Sequence, residues 1–387
     1  MSKILHYSMD DIDKKGALFN IIWGERSNGK SYQVKHKKAV LSYLKGQDTY
    51  LSSYINKNKV IENRIKSGKR FILMRRWKEE ITTEKIEKYF ADIDILSLTN
   101  GDYNCITMYR KTLYLSNYNY ESGKTTRHEV IGYVVALSTE QNYAGGSYLD
   151  VSDIIFEEFM SRNVYIANEP DKLINFWSTV DRQRGTTRVW MVGNTISRVC
   201  PYLTEWDLQS IISRQKQGEI ICKWMPTGDI DKETGKEIEV KLAIEYCKSN
   251  GRTSFAFGKH RDMINKGDWQ SDPQPHLPKS KKCYKVLYRM MFQFQSFKFM
   301  CEYLMDKETR ERVWFIYPYY GKIKEKILVI SDVVKTSPYW QRNIYDLNLK
   351  NKKVKDLLKT FRENIIFYAS DLCGTDFKQV IDFEIKK

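Results

Sequence analysis

The chain has 387 residues, of which 29% are charged and 42% hydrophobic; this balance excludes a disordered chain and leaves room for two globular domains. The formal net charge of +16 predicts a polyanionic partner, most simply nucleic acid, with acidic protein and membrane surfaces as alternatives. The seven cysteines are scattered without a C-x-x-C pair, which argues against a zinc site or disulfide framework, and the N-terminus lacks the apolar core of a signal peptide. We therefore expect an intracellular protein without a membrane partner.

The first predicted element is a strand followed by a phosphate-binding loop. An apolar run that ends at Trp23 predicts a buried parallel strand, and the next residues, GERSNGKS, match G-x-x-x-x-G-K-[ST] at every fixed position. Apolar residues then recur at helical spacing up to Gly46, and a helix that starts at this loop directs its positive dipole end at a phosphate. The alternative is a turn that matches the pattern by chance.

The loop predicts a nucleotide site with a metal ion. We expect its backbone N–H groups to converge on one anion, Lys30 to reach the β- and γ-phosphates, and Ser31 to bind Mg²⁺. The residues predicted to bind the nucleotide here are Gly24, Arg26, Ser27, Asn28, Gly29, Lys30 and Ser31.

Next along the chain, Phe71 to Met74 predict a second buried strand. This strand delivers Arg75, Arg76 and Lys78 to the edge of the sheet where open α/β folds bind ligands. The segments CITMYRKTLYLS and HEVIGYVVALS then predict the two strands of one hairpin, joined by a polar loop.

The third buried strand, in DIIFEEF, ends in two acids. Beside a phosphate loop, the first acid, Glu157, is expected to help hold Mg²⁺ and the second, Glu158, to orient the attacking water. Asp153 competes for the metal role, although it lies four residues earlier in the strand. The alternative for the pair is an exposed acidic strand end without a catalytic role.

A helix over EPDKLINFWSTVDRQRG follows, with Leu173, Ile174, Trp177 and Val180 on one face, and TRVWMVGNT predicts a fourth strand. Asn194 at its end can hydrogen-bond the γ-phosphate or the water; the alternative is a turn-forming asparagine. Arg182, Arg184 and Arg188 are candidates for an arginine finger that reaches a neighbouring subunit, with a solvated basic face or a DNA contact as the alternative.

The strand and helix order predicts the domain organisation. Residues 1–248 alternate strands with helices, which predicts an α/β domain with a mainly parallel sheet. Residues 249–278 are polar and proline-containing and predict a linker, and residues 279–387 predict a smaller α+β domain.

Four blocks carry a resemblance to a known family. GERSNGKSY, FILMRRWKEE, ALSTEQNYAGGSYLDVSDIIFEEFMSR and LINFWSTVDRQRGTTRVWMVGNTISRVCPYL occur in the order and spacing of the DNA-packaging (encapsidation) ATPases of phi29-like phages. The resemblance covers most of residues 15 to 205.

The resemblance implies an ASCE-type P-loop ATPase that binds ATP and Mg²⁺ and drives double-stranded DNA into a viral prohead. The motor would be a homo-oligomeric ring, typically a pentamer, docked in the host cytoplasm at the prohead portal (connector) protein and tethered by a packaging RNA. Carried over by motif, Glu158 is the catalytic glutamate, Arg182 the arginine finger, and Lys78 a lysine that acts across the subunit interface.

This sequence departs from the family at two places. The metal-side acid is usually Asp, whereas here it is Glu157, and the C-terminal part is only weakly similar. Relatives carry there a degenerate, vestigial RNase H-like nuclease fold, so we expect no nuclease activity. The alternatives to a packaging motor are another ASCE-type DNA translocase or helicase, and a nucleic-acid-binding protein with a relict nucleotide site.

Overall fold

The computed structural model describes residues 7–45, 69–143, 146, 148–161, 165–230, 235–248, 269, 271–294, 297–321, 327–331, 337, 339–341 and 352–385. The chain divides into two compact units. The first unit contains the described residues up to Ile196 and those from Arg214 to Lys248, and the second contains residues 197–213 and those from Trp269 onward. Of the predicted linker, residues 249–268 and 270 lie outside the described residues.

The first unit is built on a nine-stranded sheet with the order β3-β4-β5-β2-β6-β7-β1-β9-β8. Its strands are β1 (Phe19–Gly24), β2 (Arg70–Arg75), β3 (Cys105–Tyr109), β4 (Thr112–Asn119), β5 (Lys124–Ala136), β6 (Val151–Glu157), β7 (Arg188–Asn194), β8 (Ile220–Ile230) and β9 (Glu237–Tyr246). The pairs β5–β2, β2–β6, β6–β7, β7–β1 and β1–β9 run parallel, whereas the strands at both edges are antiparallel. The predicted α/β class with a mainly parallel sheet is confirmed.

The helices of the first unit precede β1 or connect the strands of the sheet. They are α1 (Asp10–Asp13), α2 (Lys30–Val34), α3 (Ser42–Lys45), α4 (Thr83–Phe90), α5 (Ile95–Leu98) and α6 (Glu169–Asp181), with a π-helical stretch (Lys35–Leu41) that joins α2 to α3 and 3₁₀ turns at Lys78–Glu80 and Leu137–Tyr143. Ile22, Leu73 and Ile155 of the central strands pack in one core cluster with Val40 and Phe90 of the helices. Burial of these apolar side chains fixes the helices on the sheet.

Two elements differ from the sequence prediction. The segment predicted as one strand, CITMYRKTLYLS, forms two strands, β3 and β4, because Arg110 and Lys111 turn the chain with φ of 47° and 64°. Neither residue type is typical of such a turn, so the sequence carries no signal for it. On α6, Leu173 and Val180 are fully buried as predicted, but Ile174 is 36% exposed and Phe176 takes its place in the core.

The second unit contains a six-stranded mixed sheet with the order β14-β13-β10-β11-β12-β15. Its strands are β10 (Tyr284–Phe294), β11 (Phe297–Asp306), β12 (Arg312–Pro318), β13 (Leu328–Ser331), β14 (Trp340–Gln341) and β15 (Ile366–Tyr368), and its helices are α7 (Pro201–Glu205), α8 (Gln209–Ile212), α9 (Lys352–Glu363) and α10 (Asp371–Ile385). The first three strands form an antiparallel meander, and the remaining three pair in parallel.

Residues 197–213 belong to this second unit, although the predicted boundary at residue 248 assigns them to the first domain. Val199 lies in the core around Phe292 and Phe377, and the Arg198 guanidinium pairs with the buried Asp376. The chain therefore enters the second unit directly after β7 and returns to the first before β8. Within the ranges that the structure describes, we find no helix that combines the length and the apolar composition of a membrane span.

Candidate active site

The parallel strands place the predicted residues of the site at one edge of the sheet. Gly24 ends β1 and pairs with Asn194 of β7. Glu157 ends β6 and pairs with Val192, also of β7. Because carboxyl ends of parallel strands share an edge, the phosphate loop, the acid pair and Asn194 converge there.

The loop between β1 and α2 has the backbone geometry that its glycines predict. Gly29, which immediately precedes α2, has φ of 94°, a conformation that L side chains rarely adopt. Gly24 has φ of 155°, and a Cβ there would approach the Cβ of Cys247 to 3.1 Å. The Asn28 side chain closes the loop by accepting a hydrogen bond from the Lys30 N–H at 3.2 Å.

Lys30 is 4% exposed and its ammonium is held inside the loop. Its Nζ donates to the Glu25 carbonyl at 2.5 Å and to Asn194 Oδ1 at 2.7 Å. Burial lowers the pKa of Lys30, and the negative charges of Glu157 and Glu25 oppose that effect. An anion bound in the loop would supply further compensating charge to this buried cation.

The predicted metal residues, Ser31 and Glu157, are in contact. The Ser31 hydroxyl donates to Glu157 Oε2 at 3.0 Å, and the Tyr89 hydroxyl donates to Glu157 Oε1 at 2.6 Å. Burial raises the pKa of Glu157, whereas these two hydrogen bonds lower it. The competitor Asp153 is buried elsewhere, where it accepts from the Trp190 indole N–H at 2.8 Å.

Glu158 adopts a strained backbone conformation that its neighbours fix. It has φ of 57°, which is uncommon for a residue with a side chain. The Arg76 guanidinium donates to the Glu158 carbonyl at 3.1 Å and to the Phe159 carbonyl at 2.6 Å. The Glu158 side chain itself is 64% exposed and lies 3.4 Å from Arg75 Nη2. The strained turn therefore presents this carboxylate to the cleft.

Arg76 is itself held by a buried ion pair. Its Nε lies 3.0 and 2.8 Å from the two carboxylate oxygens of Glu169, and the side chains are 5% and 0% exposed. The centroid of the Tyr165 ring lies 4.8 Å from the guanidinium carbon of Arg76. Glu169 at the start of α6 thus acts through Arg76 on the backbone that carries Glu158.

The structure distinguishes the three candidate arginines. Arg184 donates to the carbonyls of Leu149 at 2.6 Å and Val180 at 2.9 Å, so it braces its own chain. Arg188 pairs with Asp13 at 2.5 Å. Arg182 is exposed, with φ of 48°, and its Nη2 contacts the Gly146 carbonyl at 2.8 Å.

The Asp181 carboxylate fixes the turn that presents Arg182. It accepts hydrogen bonds from the backbone N–H groups of Gly185 at 2.7 Å, Thr186 at 3.0 Å and Thr187 at 2.8 Å. Burial acts to raise the pKa of Asp181, but these donors hold it below its usual range.

A cleft of about 1260 Å³ lies over the phosphate loop. The predicted residues that line it are Arg26, Ser27, Asn28, Gly29, Lys30, Ser31, Glu157, Glu158 and Asn194. Gly24 lies beneath the loop as the last residue of β1, and Lys78 and Arg182 are exposed outside the lining. The site thus brings together the residues predicted to bind phosphate and both acids of one chain, but neither residue predicted to act across an interface.

The donor set of the cleft fits a nucleotide with a divalent cation. Positive groups, among them Lys30 and Arg75, border the space over the loop, as an anion requires. The Ser31 hydroxyl and the Glu157 carboxylate are the hard oxygen donors that Mg²⁺ prefers, and both border the same cleft.

Three residues of this site make contacts that the sequence does not predict. Arg76 borders the cleft at the predicted edge of the sheet, but its guanidinium is buried and donates to backbone carbonyls, a role that the sequence does not predict. Tyr89 sits beside Phe90 in an amphipathic helix, where an aromatic is typical of core. Glu169 follows the pattern of an acid in the first turn of a helix. Their partners lie far away along the chain, so no local signal reveals them.

The chain matches known proteins over a region that includes Glu157, Glu158 and Asn194 of this cleft and begins after the phosphate loop. Residues 36–242 match the family model described as Podovirus DNA encapsidation protein (Gp16). The chain is 27% identical over 218 residues to the DNA packaging protein of Bacillus phage phi29, covering 56% of this chain and 54% of the relative. It is 30% identical over 185 residues to the DNA packaging protein of Bacillus phage B103, covering 46% of this chain and 50% of the relative. The chain thus spans about half the length of the curated relatives it matches.

One solved structure has a similar fold over nearly the whole chain. It is titled the bacteriophage Phi-29 viral genome packaging motor assembly; the TM-score is 0.52 at 18% sequence identity, covering 99% of this chain and 98% of that chain. At this identity the similarity concerns the fold, and it includes both units.

Proposed function

The chain belongs to the podovirus DNA encapsidation protein (Gp16) family, and we propose that it is the ATPase of a phage genome-packaging motor, which hydrolyses ATP to move double-stranded DNA into a prohead. One observation supports this proposal most directly. The cleft brings the phosphate loop together with Glu157, Glu158 and Asn194, which are the groups that hydrolysis of a nucleoside triphosphate needs.

Each residue of the cleft has a proposed role. The loop N–H groups and Lys30 hold the phosphates, Glu158 orients the attacking water, and Asn194 reports loss of the γ-phosphate by its contact with Lys30. Ser31 and Glu157 would hold Mg²⁺, which neutralises the charge that develops on the transferred phosphoryl group.

Arg182 and Lys78 are proposed to act on the nucleotide of a neighbouring subunit. Both are exposed and lie outside the lining of their own cleft, as groups donated in trans require. This role needs a homo-oligomeric ring, for which we propose a pentamer at the portal protein, with double-stranded DNA in its channel and a packaging RNA as tether. The assembly would operate in the host cytoplasm at the prohead portal vertex.

The second unit is proposed to be the vestigial RNase H-like domain. Its strand order supports this, because an antiparallel meander of β12, β11 and β10 continues into the parallel strands β13 and β14. Two buried acids of β11 have basic partners, since Glu302 pairs with Lys281 and Arg289, and Asp306 pairs with Lys279. We therefore propose a binding role for this unit and no nuclease activity.

The phosphate loop is tested by Lys30→Ala. We expect ATP hydrolysis by the full chain with duplex DNA to fall roughly 10²- to 10³-fold, because a preorganised charge at the phosphates is lost. Steady-state phosphate release measures the effect, and Lys14→Ala, at a 76% exposed lysine, is the matched control. A Lys30→Ala variant with the parent rate would contradict the proposed site.

The DNA partner is tested by the salt dependence of binding. A protein that contacts phosphates releases counterions, so the affinity for a random-sequence duplex should fall by ~10³ or more between about 50 and 200 mM salt. Fluorescence anisotropy of a labelled duplex with the full chain measures this slope. An affinity that is constant across that range would argue against a motor that contacts the phosphates of duplex DNA.

A further inference from the structure

The buried carboxylate of Glu157 is held at both oxygens by two different elements. Oε2 accepts from Ser31 of α2 at 3.0 Å, and Oε1 accepts from Tyr89 of α4 at 2.6 Å. Glu157 is 5% exposed, so few water molecules can satisfy it instead. A glutamate has one more rotatable bond than an aspartate, and the second hydrogen bond removes that freedom.

Tyr89 is itself fixed before any ligand binds. Lys35, at the start of the π-helical stretch, donates through Nζ to the Tyr89 carbonyl and also pairs with Asp92. The same ammonium lies 4.6 Å from the centroid of the Tyr89 ring, and the Phe90 ring packs edge-on at 4.9 Å. The hydroxyl is therefore aimed at Glu157 by contacts on the backbone and on the ring.

We infer that Tyr89 is a positioning residue that orients Glu157 for the divalent cation. Its hydroxyl holds Oε1 of Glu157, which keeps Oε2 beside Ser31, the other residue proposed to bind Mg²⁺. This inference rests on the proposed nucleotide site. Glu157 contacts both hydroxyls at once, one with each carboxylate oxygen. Such partners of metal ligands set both orientation and affinity.

The test is Tyr89→Phe, which removes one oxygen and retains the ring contacts with Lys35 and Phe90. Binding of a fluorescent ATP analogue to the full chain is titrated with Mg²⁺, and again in EDTA. We expect the Mg²⁺ concentration at half-maximal binding to rise roughly 10- to 100-fold. Binding in EDTA should be unchanged, because the phosphate loop is intact. Tyr43→Phe is the matched control, since its hydroxyl bonds Glu129 at 2.8 Å, and neither Tyr43 nor Glu129 lines the cleft.

A double variant separates positioning from a structural effect. Glu157→Asp draws the carboxylate back by one methylene group, and we expect it to lose the contact with the Tyr89 hydroxyl. In that background Tyr89→Phe should then cause no further change in the Mg²⁺ midpoint. An unchanged midpoint in Tyr89→Phe, an equal loss in EDTA, or a full additional loss in the Glu157→Asp background would each overturn the inference. If the parent chain binds no nucleotide under any condition, the proposed function fails instead.

Discussion

Replacing Arg182 with alanine is expected to lower ATP hydrolysis by the assembled protein ~10³- to 10⁵-fold while ATP binding is retained. The guanidinium is exposed and lies outside the lining of its own cleft, so its loss removes no group that holds the nucleotide in that chain. It would remove the charge that stabilises the transition state on the neighbouring subunit. Phosphate release and equilibrium binding of a fluorescent ATP analogue measure the two effects separately.

Two further variants sharpen this prediction. Gln183→Ala changes the adjacent exposed residue, which shares the left-handed turn with φ of 61°, and should leave the rate unchanged. Arg182→Lys retains the charge but loses the planar fork of donors, so the rate should recover only in part. A parent-like rate in Arg182→Ala would show that the finger has been assigned to the wrong residue.

Among the substitutions considered, Glu169→Gln is expected to lower the free energy of unfolding most. It leaves the Arg76 charge buried at 5% exposure without its counter-ion, which typically costs about 3–5 kcal/mol, most of the stability of a marginal domain. The loss should concentrate where Arg76 holds the backbone, in β2 and in the turn after β6. Amide hydrogen exchange, resolved by mass spectrometry for residues 70–76 and 151–159, measures the free energy of local opening there.

The control for Glu169 is a solvated ion pair of the same unit. Asp11→Asn breaks the ion pair of Asp11 with Lys14, whose two side chains are 79% and 76% exposed, respectively. No change in hydrogen exchange is expected, because a solvated pair contributes little stability. A decrease below about 1 kcal/mol in Glu169→Gln would mean that Arg76 finds other compensation. The inference that the Arg76–Glu169 pair fixes the backbone of Glu158 would then be wrong.

The sequence predicted the parts of the site that follow local rules. The phosphate loop is contiguous, and the acid pair and Asn194 each follow a buried strand, so strand pattern and chain order place them at one edge. The order of the central strands was not predictable residue by residue. It depends on which strands share apolar surface across long stretches of chain.

The contacts that orient the site could not be predicted. Arg75 and Arg76 are adjacent and chemically identical, yet one contacts the Glu158 carboxylate and the other is buried against Glu169. Likewise, Arg182 and Arg184 lie two positions apart, and only the turn capped by Asp181 sends one outward and the other onto backbone carbonyls. These outcomes depend on tertiary packing, which the spacing of residue types does not encode.

We propose that one active site is assembled from two chains, with Glu158 from one and Arg182 from its neighbour. The most direct test is ATP hydrolysis, in the presence of duplex DNA, by Glu158→Gln alone, by Arg182→Ala alone, and by an equimolar mixture of the two. Each variant alone should be inactive, and the mixture should regain part of the lost rate, because mixed rings contain interfaces where an intact Glu158 meets an intact Arg182. A mixture that co-assembles and stays as inactive as its components would contradict the claim.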